Sequence, residues 1–151
     1  MKRKLYVGCS LTHSPQEFRD LVSVLKETLK KEYEVFEFVG LEAGTANDVY
    51  KEDIQKCVAR CDFFVALCDY PSLGLGYELG TALEKYSKPT LGLGHQEANI
   101  SRLVMGIDHP MYTFKRYSTS EEILDFIKEK ELKHFKPVTP VEICETDVCT
   151  V

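Results

Sequence analysis

The sequence predicts a doubly wound α/β fold. The expected core is a five-stranded parallel sheet in the order 2-1-3-4-5, a flavodoxin- or Rossmann-like three-layer sandwich. Three observations carry this expectation. Short apolar runs alternate with segments of helical periodicity along the chain. The runs Leu5-Tyr-Val-Gly-Cys9 and Phe63-Phe-Val-Ala-Leu67 are apolar throughout, as strands covered on both faces require. A helical segment stands between successive runs, and parallel neighbours need such right-handed crossovers.

Leu5–Cys9 is the first expected strand. A helix from about Pro15 to Lys31 follows, with Phe18, Leu21, Val22, Leu25 and Leu29 on one face. Ser14 before Pro15, with Glu17 three residues on, is read as a capping box. Glu34–Val39 is the second strand, and Gly40 to Ala46 a loop. The second helix runs from about Asn47 to Arg60, with Val49, Ile54, Cys57 and Val58 inward. Asp62–Cys68 is the third strand. The third helix is Leu75–Tyr86, ended by Lys88-Pro89. Thr90–Leu93 is the fourth strand, Asn99–Met105 a short helix and Met111–Lys115 the fifth strand. The last helix is Ser120–Glu131, capped by Ser118 or Ser120. Residues 1–135 form one expected domain, and 136–151, with Pro137 and Pro140, an extended tail.

The chain has 151 residues, 44% of them hydrophobic, enough for one full core. A net charge of −5 gives no electrostatic footprint for a nucleic-acid polymer or an anionic membrane. No run approaches the ~18 apolar residues of a membrane span. The cysteines are Cys9, Cys57, Cys61, Cys68, Cys144 and Cys149, with no CxxC pair. They read as free thiols of a cytoplasmic protein. Four scattered histidines complete no metal set, so neither a metal nor another cofactor is expected.

In the order 2-1-3-4-5 the switch point lies between strands one and three, and ligands bind beyond the carboxyl ends of strands there. Two loops meet at that place, Ser10-Leu-Thr-His-Ser14 and Asp69-Tyr-Pro-Ser-Leu-Gly74. The second opens the segment Pro71-Ser-Leu-Gly-Leu-Gly-Tyr-Glu-Leu-Gly80. Glu78 is expected in the first turn of helix three, exposed at a glycine-rich loop and held ionised by the positive helix end. An ionised carboxylate so placed suits a nucleophile, or else it only complements the helix dipole. Asp53, early in helix two, reaches the same edge, and paired carboxylates divide into nucleophile and acid. Helix-end charge is again the plainer alternative. Asp69 is a rival carboxylate or a turn residue ahead of Pro71.

Tyr6, inside strand one, is a core tyrosine whose hydroxyl needs a partner, and strand three beside it leads to Glu78. Ser10 and Ser72 are phosphate-holding hydroxyls or ordinary turn serines. Gly74 and Gly76 let backbone approach a sugar. Their spacing, their place after the third strand and the charge of Glu78 argue against a dinucleotide loop.

Together these residues resemble the nucleoside 2-deoxyribosyltransferase family, and within it the branch of 2′-deoxynucleoside 5′-monophosphate N-glycosidases. The matching features are Leu5-Tyr-Val-Gly-Cys-Ser10 (which includes Gly8), Asp53 before Cys61-Asp62, and Pro71–Gly80. They span about Lys4 to Leu93. The resemblance implies that Glu78 attacks the anomeric carbon, that Asp53 helps protonate the departing base or orients the sugar, and that Tyr6 positions Glu78. The interval from Asp53 to Asp62 is one residue longer than in many relatives. Ser72 stands where the transferase branch carries an aspartate. A carboxylate there would repel a 5′-phosphate, whereas a serine donates to it. Ser101, with Arg102 beside it, resembles a serine lent across a homodimer interface. Thr12 occupies a position that is often basic in phosphate-binding relatives, and His13 is a substitute for it. Leu11 or Tyr6 would crowd the sugar 2′ position. The implied partner is a nucleoside or nucleotide. Hydrolysis, base exchange between deoxynucleosides, and non-catalytic nucleotide binding are the readings that follow.

Overall fold

The computed structural model describes residues 1–38 and 44–135. The expected loop at 40–43, the end of strand two and the tail at 136–151 lie outside them, as do Cys144 and Cys149.

Five strands form one parallel sheet in the order β2-β1-β3-β4-β5. They are β1 (Lys4–Cys9), β2 (Glu34–Phe36), β3 (Phe63–Leu67), β4 (Thr90–His95) and β5 (Tyr112–Tyr117). The helices are α1 (Gln16–Leu29), α2 (Ala46–Tyr50), α3 (Leu73–Gly80), α4 (Arg102–Met105) and α5 (Ser120–His134). Two of them widen into π-helical continuations, Lys51–Val58 after α2 and Thr81–Lys85 after α3.

Strand alternation divides the core into two layers. Leu5 and Val7, with Phe63, Val65 and Leu67, pack beneath α1 and α5. Tyr6, Phe64, Ala66 and Cys68 pack beneath the α2 and α3 segments and Ile100. The central strand β3 is fully buried, with Val65 beside Val7 on one side and Leu91 on the other. Burial of such side chains, ~1.5–3 kcal/mol each, is what holds the sandwich together. Cys57, Cys61 and Cys68 are buried free thiols and Cys9 a half-buried one. Among the described residues no helix is long and apolar enough to cross a membrane.

Several local expectations are corrected. Ser14 does not cap α1: Pro15 holds the N-cap position without a side-chain bond, and Ser14 Oγ turns back to the Leu11 carbonyl at 3.5 Å. Val49 faces solvent, because α2 is short and its continuation has a wider turn; Tyr50 packs inward instead. The capping box of the last helix belongs to Thr119 with Glu122, not to Ser118 or Ser120. A capping box absent from the sequence reading opens α2: Thr45 N donates to Asp48 Oδ2 at 2.8 Å, and Asp48 N to Thr45 Oγ1 at 3.2 Å.

Gly92 shows how closely α4 is tied to the sheet. A Cβ on Gly92 would collide with the Tyr112 hydroxyl, which donates to the Val104 carbonyl at 3.0 Å. Gly92→Ala is therefore expected to cost about 1–3 kcal/mol, the usual penalty for overpacking. Urea denaturation measures it, and an unchanged midpoint would mean that Tyr112 swings clear freely.

Candidate active site

Three residues distant in sequence meet on the α2–α3 side of the sheet. The Tyr6 hydroxyl lies 2.7 Å from Asp53 Oδ1 and 3.1 Å from Glu78 Oε1. Sheet register fixes the tyrosine: Tyr6 pairs with Phe64, and their rings stack with centroids 5.3 Å apart. Asp53 comes from the π-helical segment after α2. Glu78 comes from α3. Gly8 supplies the room. A Cβ there would stand 2.6 Å from Glu78 Oε2, 3.0 Å from a Phe64 ring carbon and 3.1 Å from Leu75 Cδ1.

All three groups are buried; Glu78 is 7% exposed and Asp53 9%. Glu78 Oε2 meets no donor among the described residues. Burial raises the Glu78 carboxyl well above the carboxylate range, and the hydrogen-bonding contact and charge of Asp53 add to this. The Tyr6 hydroxyl and the Lys26 ammonium pull the other way. Burial, followed by the charges of Glu78 and Asp53, also pushes the Tyr6 phenol far up, so it remains a neutral hydroxyl. A hydroxyl has one proton to give. Two carboxylates cannot both be satisfied by it, so the unliganded site is stable when the pair retains one proton of its own.

Two clefts open at the carboxyl edge of the sheet. One, of about 680 Å³, runs between α3 and α4 and is lined by His13, Ser72, Gly76 and Ser101 among others. The other, of about 720 Å³, lies beside α1 and is lined by Asp69, His95 and Tyr117 among others. Tyr70, Pro71 and Asn99 border both. Neither cleft is lined by Glu78 or Asp53. Leu75 separates the pair from the first cleft: it lines that cleft and reaches the Gly8–Glu78 contact from the other side.

No family model matches the chain. A Thermofilum pendens protein provisionally named 2′-deoxynucleoside 5′-phosphate N-hydrolase 1 is 30% identical over 83 residues, 54% of this chain and 57% of that protein. The match thus spans little more than half the relative's length. The structure of the CMP N-glycosidase of Clostridium botulinum superposes with a TM-score of 0.65 at 19% identity, over 84% of this chain and 98% of that one. The 2-desoxiribosyltransferase from Leishmania mexicana superposes with a TM-score of 0.59 at 14% identity, over 84% and 97%. The solved structures share the fold. The chain is similar in sequence to the Thermofilum protein and in fold to both solved enzymes.

The glycine-rich segment is not a loop. Ser72 Oγ accepts from Leu75 N at 3.2 Å and starts α3 at Leu73, two residues before the expected boundary. Glu78 is therefore beyond the first turn and on the buried face of the helix, neither loop-exposed nor held ionised by the helix end. Gly76 and Gly80 have open space around them, and at Gly74 a Cβ would come no nearer than 3.7 Å to the Ser72 hydroxyl. Ser10 is buried directly after β1, Leu11 is half-buried, and Thr12 and His13 are exposed. Ser101 is exposed at the start of α4 and makes no side-chain cap.

Asp69 stands apart from the carboxyl pair. Its Oδ1 accepts from His95 N at 2.9 Å and from the Tyr117 hydroxyl at 2.7 Å. Lys26, which sequence reasoning passed over, is a buried cation on α1 that favours Glu78 in its charged form. Its signal was its position: four residues after Val22 and eight after Phe18, on the apolar stripe.

A raised Glu78 carboxyl makes a signed prediction. Its ordinary value is 4.5, and the folded state binds the proton more tightly than the unfolded chain. The stability so contributed is complete below that value and is lost as pH rises towards the folded one. Glu78→Gln is neutral at every pH. Its melting temperature relative to wild type should climb from pH 5 to pH 8, the difference steepening by at most about 1.4 kcal/mol per pH unit. A pH-independent difference would show that Glu78 is ionised in the folded protein.

Proposed function

We propose that this chain cleaves the N-glycosidic bond of nucleoside 5′-monophosphates, deoxynucleotides foremost, through a covalent glycosyl ester on Glu78, releasing free base and sugar 5-phosphate. The observation that carries this reading is the Tyr6 hydroxyl held 2.7 Å from one carboxyl group and 3.1 Å from another. The names of the relatives point the same way: the Thermofilum protein's refers to a 2′-deoxynucleoside 5′-phosphate, and the Clostridium structure's to CMP.

The chemistry needs one proton and two carboxyl groups. In the first displacement a Glu78 oxygen bonds to the anomeric carbon while the bond to the base nitrogen breaks. The departing base takes a proton from Asp53. In the second, Asp53 accepts a proton from water, water oxygen bonds to the anomeric carbon and Glu78 leaves as a carboxylate. Configuration is retained. Tyr6 connects the two states: by passing its hydroxyl proton to Asp53 and taking the one on Glu78, it turns the resting pair into a charged nucleophile and a protonated acid. The sugar reaches Glu78 by displacing the Leu75 side chain that screens it.

The cleft holding Ser72, His13 and Ser101 suits the phosphate end. Ser72 accepts from Leu75 N, which leaves its hydroxyl proton free to donate to a phosphate oxygen. Leu73 and Leu103 stand exposed near this cleft, so the reading includes a homodimer in which a second copy covers them and Ser101 is shared. It also includes a cytoplasmic setting for the free thiols.

Base release from a deoxynucleoside monophosphate, followed by chromatography, is the direct test. Glu78→Ala should stay folded and release no base, and Asp53→Asn should lower kcat about 10²- to 10⁴-fold. Release at the wild-type rate by Glu78→Ala rejects the nucleophile. Adding a free acceptor base separates the chemistry further, since a new nucleoside product would identify base exchange rather than hydrolysis.

Tyr6→Phe is expected to fold, since the stacked ring is retained, and to lose turnover far more than substrate affinity. A fall in affinity with kcat unchanged would assign Tyr6 to binding alone.

A further inference from the structure

The face of the sheet opposite the carboxyl pair carries a group of amines that the chemistry of Glu78 does not use. A cavity of about 140 Å³ lies between β5 and α5, and Lys115, Lys130 and Lys133 all line it. Its wall includes Leu91, which belongs to the layer beneath α1 and α5. Lys130 is 4% exposed. Its Nζ donates to Thr113 Oγ1 at 2.8 Å, and that neutral oxygen is its one acceptor among the described residues. An ammonium has three protons to give, and a buried charge without a counter-charge is costly. None of the three lysines forms an ion pair among the described residues. Glu129 shares the cavity wall but is exposed and pairs with none of them. Burial, followed by the charge of Lys133, brings the Lys130 ammonium down to about 8. His134, one turn on, is lowered by burial and by the charges of the same two lysines. Positive charge is thus gathered here without compensation among the described residues. The C-terminal end of α5 attracts cations to its last turn, which accounts for Lys133. It does not account for Lys115, which comes from β5, or for Lys130, whose amine is drawn onto the sheet.

We propose that this cavity binds a small tetrahedral oxyanion, either free phosphate or the phosphoryl end of a phosphomonoester. The anion supplies the negative charge that the three amines lack, and it offsets both the burial of Lys130 and its repulsion by Lys133. Thr113 accepts from Lys130, which leaves its hydroxyl proton free to donate to an anion oxygen. The amines are graded in depth: Lys133 is exposed, Lys115 half-buried and Lys130 buried. The anion therefore enters past Lys133 and meets Lys130 last. At about 30 Å³ for each water, the cavity has room for about four or five waters, which suits one phosphate group and not a whole nucleotide. Lysines bind phosphate as point charges with rotatable donors, so the site needs no planar fork. An anion held here ties α5 to β5, the outer strand of the sheet. The site is separate from the carboxyl pair, which lies beneath the α2 and α3 segments on the other side, and it stands whatever reaction Glu78 performs.

The test is a titration of the full chain with inorganic phosphate at constant ionic strength, followed by the backbone amide resonances, with chloride as the control. In wild type, amides of residues 113–115 and 126–133 should shift saturably with phosphate and not with chloride. Lys130→Met keeps the apolar stem and removes the ammonium. It should weaken phosphate by about tenfold or more, the worth of a charge-assisted hydrogen bond. Lys133→Gln, at an exposed position, should weaken it too, and carries the comparison if Lys130→Met does not fold. Lys56→Gln, an exposed lysine on the other side of the sheet, should leave the affinity unchanged. Shifts that do not saturate, or that chloride reproduces, overturn the site. So do shifts confined to residues 72–76 and 99–104, which would place the phosphate in the cleft between α3 and α4. Unchanged affinity in Lys130→Met and Lys133→Gln, or an equal loss in Lys56→Gln, also overturns it. Methyl phosphate then assigns the source once phosphate is seen in the cavity: equal affinity identifies a phosphomonoester, and weaker binding identifies the free ion.

Discussion

One phenolic proton shared between two buried carboxyl groups governs this molecule. The Tyr6 hydroxyl contacts Asp53 and Glu78, and water is largely excluded from all three. In such surroundings a second negative charge has no compensation, so protonation of the pair is set by the protein rather than by bulk solvent. The rest of the fold serves to hold that arrangement. Parallel pairing of β1 with β3 stacks Tyr6 on Phe64. Gly8, two residues on and on the same face, leaves space where a methyl group would strike Glu78. Asp53 and Glu78 arrive from helices that cross the same side of the sheet.

The wide helical turns bear on this directly. The stretch Lys51–Val58, which carries Asp53, adopts a π-helical course. A π turn absorbs one extra residue without unwinding the helix. Asp53 reaches the tyrosine from within this wide turn. Just before it, Val49 faces solvent and Tyr50 packs inward.

Much of the architecture was legible because parallel strands leave an unambiguous trace. Phe63–Leu67 is apolar at every position, as a strand with both faces covered has to be, and the alternating helices dictate the crossovers. The convergence of Tyr6, Asp53 and Glu78 was legible through the resemblance, since no periodicity relates residues 47 and 25 positions apart. The ionisation state of Glu78 was not legible. It turns on where α3 starts, and a serine followed by Leu-Gly-Leu-Gly reads equally as a loop or as a capped first turn. Ser72 decides that by accepting from Leu75 N, which carries Glu78 past the helix end onto the buried face. The engagement of Asp69 by His95 and Tyr117 was equally hidden, because it depends on β4 and β5 running on to the carboxyl edge further than their apolar runs suggest.

Burial of Glu78 has a consequence for chemistry that an exposed carboxylate would not have. A nucleophile in water is masked by its hydration shell, whereas a carboxyl group already stripped of water has no shell to shed when a sugar arrives. The obstacle is the proton it retains, and the neighbouring tyrosine and aspartate provide a place for that proton to go. In the proposed reaction Tyr6 takes that proton while its own passes to Asp53, where a departing base would need it. On the proposed mechanism, charge on Glu78 and a transferable proton on Asp53 thus arise together, in one rearrangement. In the proposed reaction a dry pocket would also limit competing reactions, because a sugar ester on Glu78 would meet only the molecules that pass Leu75. Whether that molecule is water or another base is then a matter of access past one leucine side chain rather than of any difference in the carboxyl groups themselves.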